Sequence, residues 1–359
     1  MVNFALHLPG VQISGDYKAV LNTCREAERL GFDAIWTADH FYAFPRPTSR
    51  VFLEGWTTLS ALSRDLDKIR IGTLVLSNLY RHPAVLAKMA STLDVISEGR
   101  LEFGIGAGYQ RIECEGYGIP LPRPAIRVKM LRESVKVIKK LWTESDANFS
   151  GEFYSLKDAV CEPKPVQKPH PPIWIGAKGT HLTMRVVAEL ADGYNVPNSV
   201  EDKQAMLTSL KEHCRIVGRN YEEITKSMLL PTYVYEDESE VKKKLDELSK
   251  IWGRSEEYMR NTMLLGTPDQ CIEQIESYKK MGYSYFIFGV GGVTAAPLKI
   301  LNLLAEQVLK CLKEKIRSSN KQGFRYYKDL GIEGPVVINL DSSIRTSTKP
   351  SESSSFTAA

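Results

Sequence analysis

Cysteine is scarce and scattered in this chain. The six (Cys24, Cys114, Cys161, Cys214, Cys271, Cys311) stand 40 or more residues apart. No CxxC pair exists, which excludes a zinc finger or a redox dithiol and predicts buried, reduced thiols. There is no HExxH metal-ligand spacing and no GxSxG nucleophile turn. No apolar run approaches the length of a membrane span. The N-terminus passes into VNFALHLP with no basic segment ahead of it, so neither a signal peptide nor a membrane is expected and a cytoplasmic protein is. Excess charge of one sign is also lacking. The net +4 comes from residues 310–359, with nine Lys/Arg against five Asp/Glu. The preceding 309 residues balance at 38 of each sign, which argues against a nucleic-acid partner.

What is present is a regular alternation. Apolar runs at Val2–Leu8, Asp33–Thr37, Ile69–Leu76, Leu101–Ile105, Pro172–Gly176, Gly193–Val196, Ser227–Tyr235 and Tyr283–Phe288 read as eight strands. Helical patterns lie between them at 16–30, 54–65, 83–97, 125–142, 179–190, 200–217, 268–281 and 297–315. Short apolar strands separated by helices indicate parallel pairing under a helical cover. Eight such repeats predict a closed (β/α)8 TIM barrel rather than an open sheet. Local chemistry supports several boundaries. Pro83 and Pro268 suit a first helical turn, with His82 a cap or surface residue and Thr267 an N-cap. Gly31 and Gly282 suit helix C-termini.

Two connections are long enough to be insertions. Residues 144–171 read as a hairpin and a proline-rich loop. Residues 236–266 are charged and include the helical EVKKKLDELSKIWG, and a lid or a binding loop is open for such a segment. The barrel is expected over 1–315 and a largely disordered, flexible C-terminal tail over 316–359. The last 19 residues carry ten Ser/Thr. Within 313–328 stand six Lys/Arg and three aromatics, and the apolar VVINL (336–340) follows. A solvated extension and a docking segment are both open for it.

A barrel of this class places its active site at the C-terminal strand ends. His40 is the one imidazole at a strand tip flanked by aromatics, and it can donate a hydrogen bond or move a proton. A packed structural histidine is the alternative. His7 also ends a strand, while His170, His181 and His213 show no partner pattern. The carboxylates near strand ends are Asp39, with Glu113 or Glu115 after strand four. Gly104, Gly106 and Gly108 end strand four. They fail the dinucleotide pattern, because its third glycine would fall at Tyr109. Backbone contact with a flat cofactor through Gly106, Ala107 and Gly108, or a tight turn alone, would explain them. Gly176, Ala177, Gly179 and Thr180 lead into a helix and suit an anion, phosphate above all. With no nucleophile or metal motif, a cofactor that carries the chemistry itself is favoured.

Seven ordered segments add a resemblance over about residues 1–310. They are GFDAIWTADHF (31–41), LEGWTTLSALSRDLDKIRIGTLV (53–75), YRHPAVLAKMASTLDVISEGRLEFGIGAGY (80–109), EGYGIPLP (115–122), HPPIWIGAKG (170–179), ADGYNV (191–196) and VGRNYEEITKS (217–227). Together they resemble the bacterial luciferase-like superfamily, in its class of coenzyme F420-dependent oxidoreductases. That resemblance implies a barrel with a deazaflavin ring over its mouth and the cofactor phosphate on the loop after strand five. It implies His40 and Tyr109 as catalytic residues, and cofactor contacts from Asp39, Leu74, Val75, Gly106–Gly108, Gly176, Ala177, Gly179 and Thr180. It also implies a non-prolyl cis peptide within Thr73–Leu76, at Leu74–Val75. Trp36, Phe41, Tyr42 and Phe44 would wall the pocket, with barrel core the alternative for Trp36. The implied reaction passes a hydride between coenzyme F420 and a small organic substrate, in a homodimer. An FMN-dependent monooxygenase with a separate reductase, or a non-catalytic flavin-binding barrel, are the alternatives. Relatives that oxidise glucose 6-phosphate carry glutamate where this chain has Tyr109 and tryptophan where it has Phe44, which speaks against that sugar phosphate.

Overall fold

The computed structural model describes residues 2–12, 14–43, 51–290, 297–315 and 318. The chain divides into two units, Met1–Leu309 and Lys310–Ala359. Of the second, residues 310–315 and 318 are described, and they are helical. The expectations for Phe44 and for the tail, VVINL included, lie outside the described residues apart from Ser318.

Eight parallel strands close the first unit into a barrel. They are β1 (Asn3–His7), β2 (Ala34–Thr37), β3 (Arg70–Thr73), β4 (Leu101–Gly106), β5 (Ile173–Gly176), β6 (Gly193–Val196), β7 (Thr225–Val234) and β8 (Tyr285–Gly289). Each pairs with its successor, and β8 returns to β1 with Phe4 opposite Phe286 and His7 opposite Gly289. Closure leaves no unpaired barrel edge. The (β/α)8 reading therefore holds.

The barrel interior is filled by large rings that small residues make room for. Trp36, Trp174 and Tyr285 meet edge to face at centroid distances of 4.9–6.1 Å, over Ala5 and Ala34. A Cβ on Gly193 would stand 2.1 Å from Trp174, and one on Gly72 would stand 2.7 Å from Trp36. Those two glycines are thus the counterpart of the tryptophans. Trp36 belongs to this core, fully buried. The other strand face supplies Phe4 and Phe286, stacked at 6.2 Å.

Helix boundaries follow the local chemistry. His82 caps Pro83–Ile96, its Nδ1 accepting from the Ala84 amide at 3.3 Å. Thr267 and Gln270 form a reciprocal capping box on Pro268–Met281, which ends in Gly282 at φ +116°. Residues 144–171 contain the expected hairpin, Ala147–Ser150 against Ser155–Ala159. Residues 236–266 hold the expected helix, Glu238–Trp252. A second helix (Glu256–Thr262) follows it, and then a strand (Leu264–Gly266) that extends the sheet beside β7. Spans that differ from the periodicity reading include two beside the strand ends of the mouth. The expected strand Ile69–Leu76 is broken after Thr73 by a cis Leu74–Val75 peptide and resumes only at Leu76–Ser77. The helix expected from 179 starts at Leu182, because 177–181 form an irregular loop. Cys24, Cys114, Cys161, Cys214 and Cys271 are buried free thiols. Among the described residues no helix is long and apolar enough to cross a membrane.

Candidate active site

The C-terminal ends of β1 to β5 bring the expected residues to one mouth. His40 stands three residues beyond β2, and Tyr109 three beyond β4. Their rings meet edge to face at 6.0 Å. Phe52 lies against the same imidazole at 6.5 Å. Tyr109 is 68% exposed and presents its ring to the solvent side of the mouth. Phe41 stacks between Tyr80 at 4.5 Å and Tyr117 at 4.3 Å.

His40 is tied down by a carboxylate from elsewhere in the chain. Glu113, on the short helix Arg111–Gly116, lies 3.0 Å from His40 Nδ1. Its carboxylate also accepts from the Phe41 amide at 2.6 Å, the Tyr42 amide at 3.1 Å and the Tyr80 hydroxyl at 2.7 Å. Burial pushes the Glu113 carboxyl up. The hydrogen bond and charge of His40, then Tyr80 and the Phe41 amide, outweigh it and hold the group below its usual range. Burial, and second the charge of His40, push the neighbouring His7 down to about 3, so this imidazole is neutral.

Asp39 takes a different part. Its buried carboxylate accepts from the two terminal guanidinium nitrogens of Arg81, each at 3.0 Å, and from the Ser77 amide at 2.8 Å. Arg81 reaches on to Glu54 at 2.6 Å, and Glu54 caps Gly55–Asp65. Asp39 thus holds the bulge after β3 in place from beside the mouth. Gln12 secures the same strand end, accepting from the Ala38 amide at 3.0 Å.

The bulge itself explains the strand-four glycines. A Cβ on Gly104 would stand 1.9 Å from the Thr73 carbonyl oxygen, on Gly106 2.8 Å from Val75 Cγ2, and on Gly108 2.7 Å from Ser77 Oγ. Gly176 faces Val75 too, at 3.2 Å. The tight-turn reading therefore suffices for the glycines, and Val75 is the side chain packed among them. Gly179 differs: no atom lies within 4 Å of where its Cβ would be.

The loop after β5 is held from behind. The Ala177 amide is used by the Asn195 carbonyl at 3.1 Å. The Thr180 carbonyl accepts from Ser209 and, at 3.1 Å, from His213. Helix Leu182–Leu190 has no side-chain cap on its first amides. An anion suits them, with Ala177 contributing position rather than its own N–H.

Two buried polar atoms at the mouth lack hydrogen-bond partners, His7 Nε2 and Asn78 Nδ2. Native interiors rarely leave such atoms unpaired. Together with the open space at Gly179 and the uncapped helix, they fit a polar, phosphate-bearing ring cofactor. Glu113 as partner of His40, the Arg81–Asp39–Glu54 cluster, and Tyr80 were not singled out from sequence. The one available signal was a carboxylate shortly after strand four.

Comparison with known proteins found similar sequences and folds. The model of the luciferase-like monooxygenase family matches residues 2–255. An F420-dependent glucose-6-phosphate dehydrogenase of Microbacterium testaceum is 26% identical over 314 residues, 80% of this chain and 91% of that one. The oxygenase component of a flavin-dependent trigonelline monooxygenase of Acinetobacter baylyi is 25% identical over 311 residues, 76% and 83% of the two chains. Among solved structures, an F420-dependent secondary alcohol dehydrogenase bound to an F420–acetone adduct superposes with a TM-score of 0.73. It is 19% identical and covers 86% of this chain and 98% of its own.

Proposed function

Because this chain belongs to the luciferase-like monooxygenase family of oxidoreductases, we propose that it transfers a hydride between coenzyme F420 and a small organic substrate with oxygen at the reacting carbon. The observation that carries the proposal is the pairing of His40 with buried Glu113 beside Tyr109, at the mouth edged by the Leu74–Val75 bulge. When bound, the deazaflavin supplies a ring carbon that accepts or gives hydride. Leu74, Val75 and Gly106–Gly108 would hold the ring. The loop Gly176–Thr180 and the first amides of Leu182–Leu190 would hold its phosphate.

His40 bonds the reacting oxygen and takes or gives its proton as the carbon changes oxidation state. Tyr109 closes the outer side of the pocket. Phe41 and Tyr42 exclude water from it. The similarity to the F420-dependent dehydrogenases supports deazaflavin. The similarity to a flavin monooxygenase supports the rival reading with FMN and a separate reductase. We expect a homodimer acting on a small molecule.

Titrating the purified protein with each cofactor by fluorescence quenching is the test. Tighter binding of F420 is expected. Equal or tighter binding of FMN, with oxygen-dependent turnover, overturns the proposal in favour of the monooxygenase.

A further inference from the structure

We infer that Glu113 is a positioning residue that holds His40 with its proton on Nδ1 and so keeps Nε2 for the reacting oxygen. The inference rests on the functional reading above for what Nε2 does, and on geometry for the rest. The Glu113 side chain is fully buried and already meets four groups. Three of them, the two amides and the Tyr80 hydroxyl, are donors. A carboxyl so surrounded stays ionised and has no proton to offer. The hydrogen between it and His40 therefore belongs to Nδ1, and in the neutral ring the lone pair sits on Nε2.

The groups around this imidazole act in the same direction. Glu113 faces it from the helix after β4, and Tyr109 from the loop before that helix. His7 faces it from β1 as a neutral ring, adding no positive charge. Asp39, next in sequence, is engaged by Arg81. Among the described residues, the buried carboxylate of Glu113 directs its negative charge at His40 from 3.0 Å. In the oxidising direction the substrate O–H bond breaks and an Nε2–H bond forms. A bound deazaflavin would take up the C–H electron pair as hydride, and the carbon left behind would form the C=O bond. The imidazolium so created is balanced by Glu113. Carbonyl reduction runs the same steps backwards. The same carboxylate holds the Phe41 and Tyr42 amides, so it sets ring position as well as tautomer.

The test is nitrogen NMR on protein labelled at its six histidines, with His40→Ala identifying the resonance. The cofactor-free wild type should show His40 protonated at Nδ1 at neutral pH. In Glu113→Gln the new amide can donate to Nδ1, and the ring should move to the Nε2–H form. In the same variant kcat should fall by about 10²–10⁴-fold while cofactor affinity changes less than about twofold. An Nε2–H ring in the wild type overturns the inference and needs no variant to fold. Unchanged ring shifts in Glu113→Gln overturn it as well, whatever the activity. Normal turnover by His40→Ala overturns the functional reading instead, and leaves the tautomer result standing.

Discussion

His7 and His40 are the same residue type at adjacent strand ends, and their surroundings separate them. His40 has a carboxylate at 3.0 Å. His7 has none among its described partners, and its Nε2 is buried without a hydrogen bond. In the unfolded chain His7 takes a proton near its ordinary value of about 6.5. In the fold it resists protonation down to about 3. Between those values the unfolded state binds the extra proton, so stability falls as pH drops through the window. The full effect is on the order of 5 kcal/mol, at about 1.4 kcal/mol per pH unit. Chemical denaturation at pH 7, 5 and 4 should show it, and His7→Gln should remove most of that slope. A variant with the wild-type slope would mean that His7 is solvated in the native state.

At the scale of elements, the end of β3 organises the mouth. The cis Leu74–Val75 step offsets the chain, Val75 fills the space beside Gly106 and Gly176, and Asp39 fastens the Ser77 amide. Glycines in these loops therefore have two distinct duties. Gly104→Ala puts a methyl group against a backbone oxygen 1.9 Å away, and neither strand can yield without losing its pairing. A loss of stability of about 3 kcal/mol or more is expected in urea unfolding. A Cβ on Gly179 would meet no atom within 4 Å, so the melting temperature of Gly179→Val should stay near wild type. Its cofactor affinity should still fall at least tenfold, because the side chain occupies the approach to the uncapped helix. Normal affinity in this variant would put the phosphate elsewhere.

For the whole molecule, every residue assigned to the site lies within the unit Met1–Leu309. Truncation after Gln322 is therefore expected to leave cofactor affinity unchanged within about twofold and the oligomeric state unaltered. Light scattering and the same fluorescence titration measure both. A change of mass, or loss of soluble protein, would assign the tail a structural duty and move the barrel boundary beyond residue 315.

The barrel was legible in the sequence because its causes are local. Apolar runs of strand length, proline and threonine at helix starts, and glycine at helix ends each act within a few residues. The position of His40 and Tyr109 at the mouth was legible for a similar reason: each stands three residues beyond a strand, and strand ends define the mouth. What the tertiary structure alone decided is which groups meet. His40 and Glu113 are 73 residues apart, Arg81 and Asp39 are 42 apart, and no periodicity links either pair. Asp39 read as a cofactor contact, yet its oxygens face Arg81 and the Ser77 amide. Gly104–Gly108 read equally as ligand contact or tight turn, and only the packed Val75 and the Thr73 carbonyl show what their missing side chains spare. Sequence patterns specify elements through the backbone's own hydrogen bonding and burial. Charge pairing and close contact depend on distances that exist only once the barrel has closed.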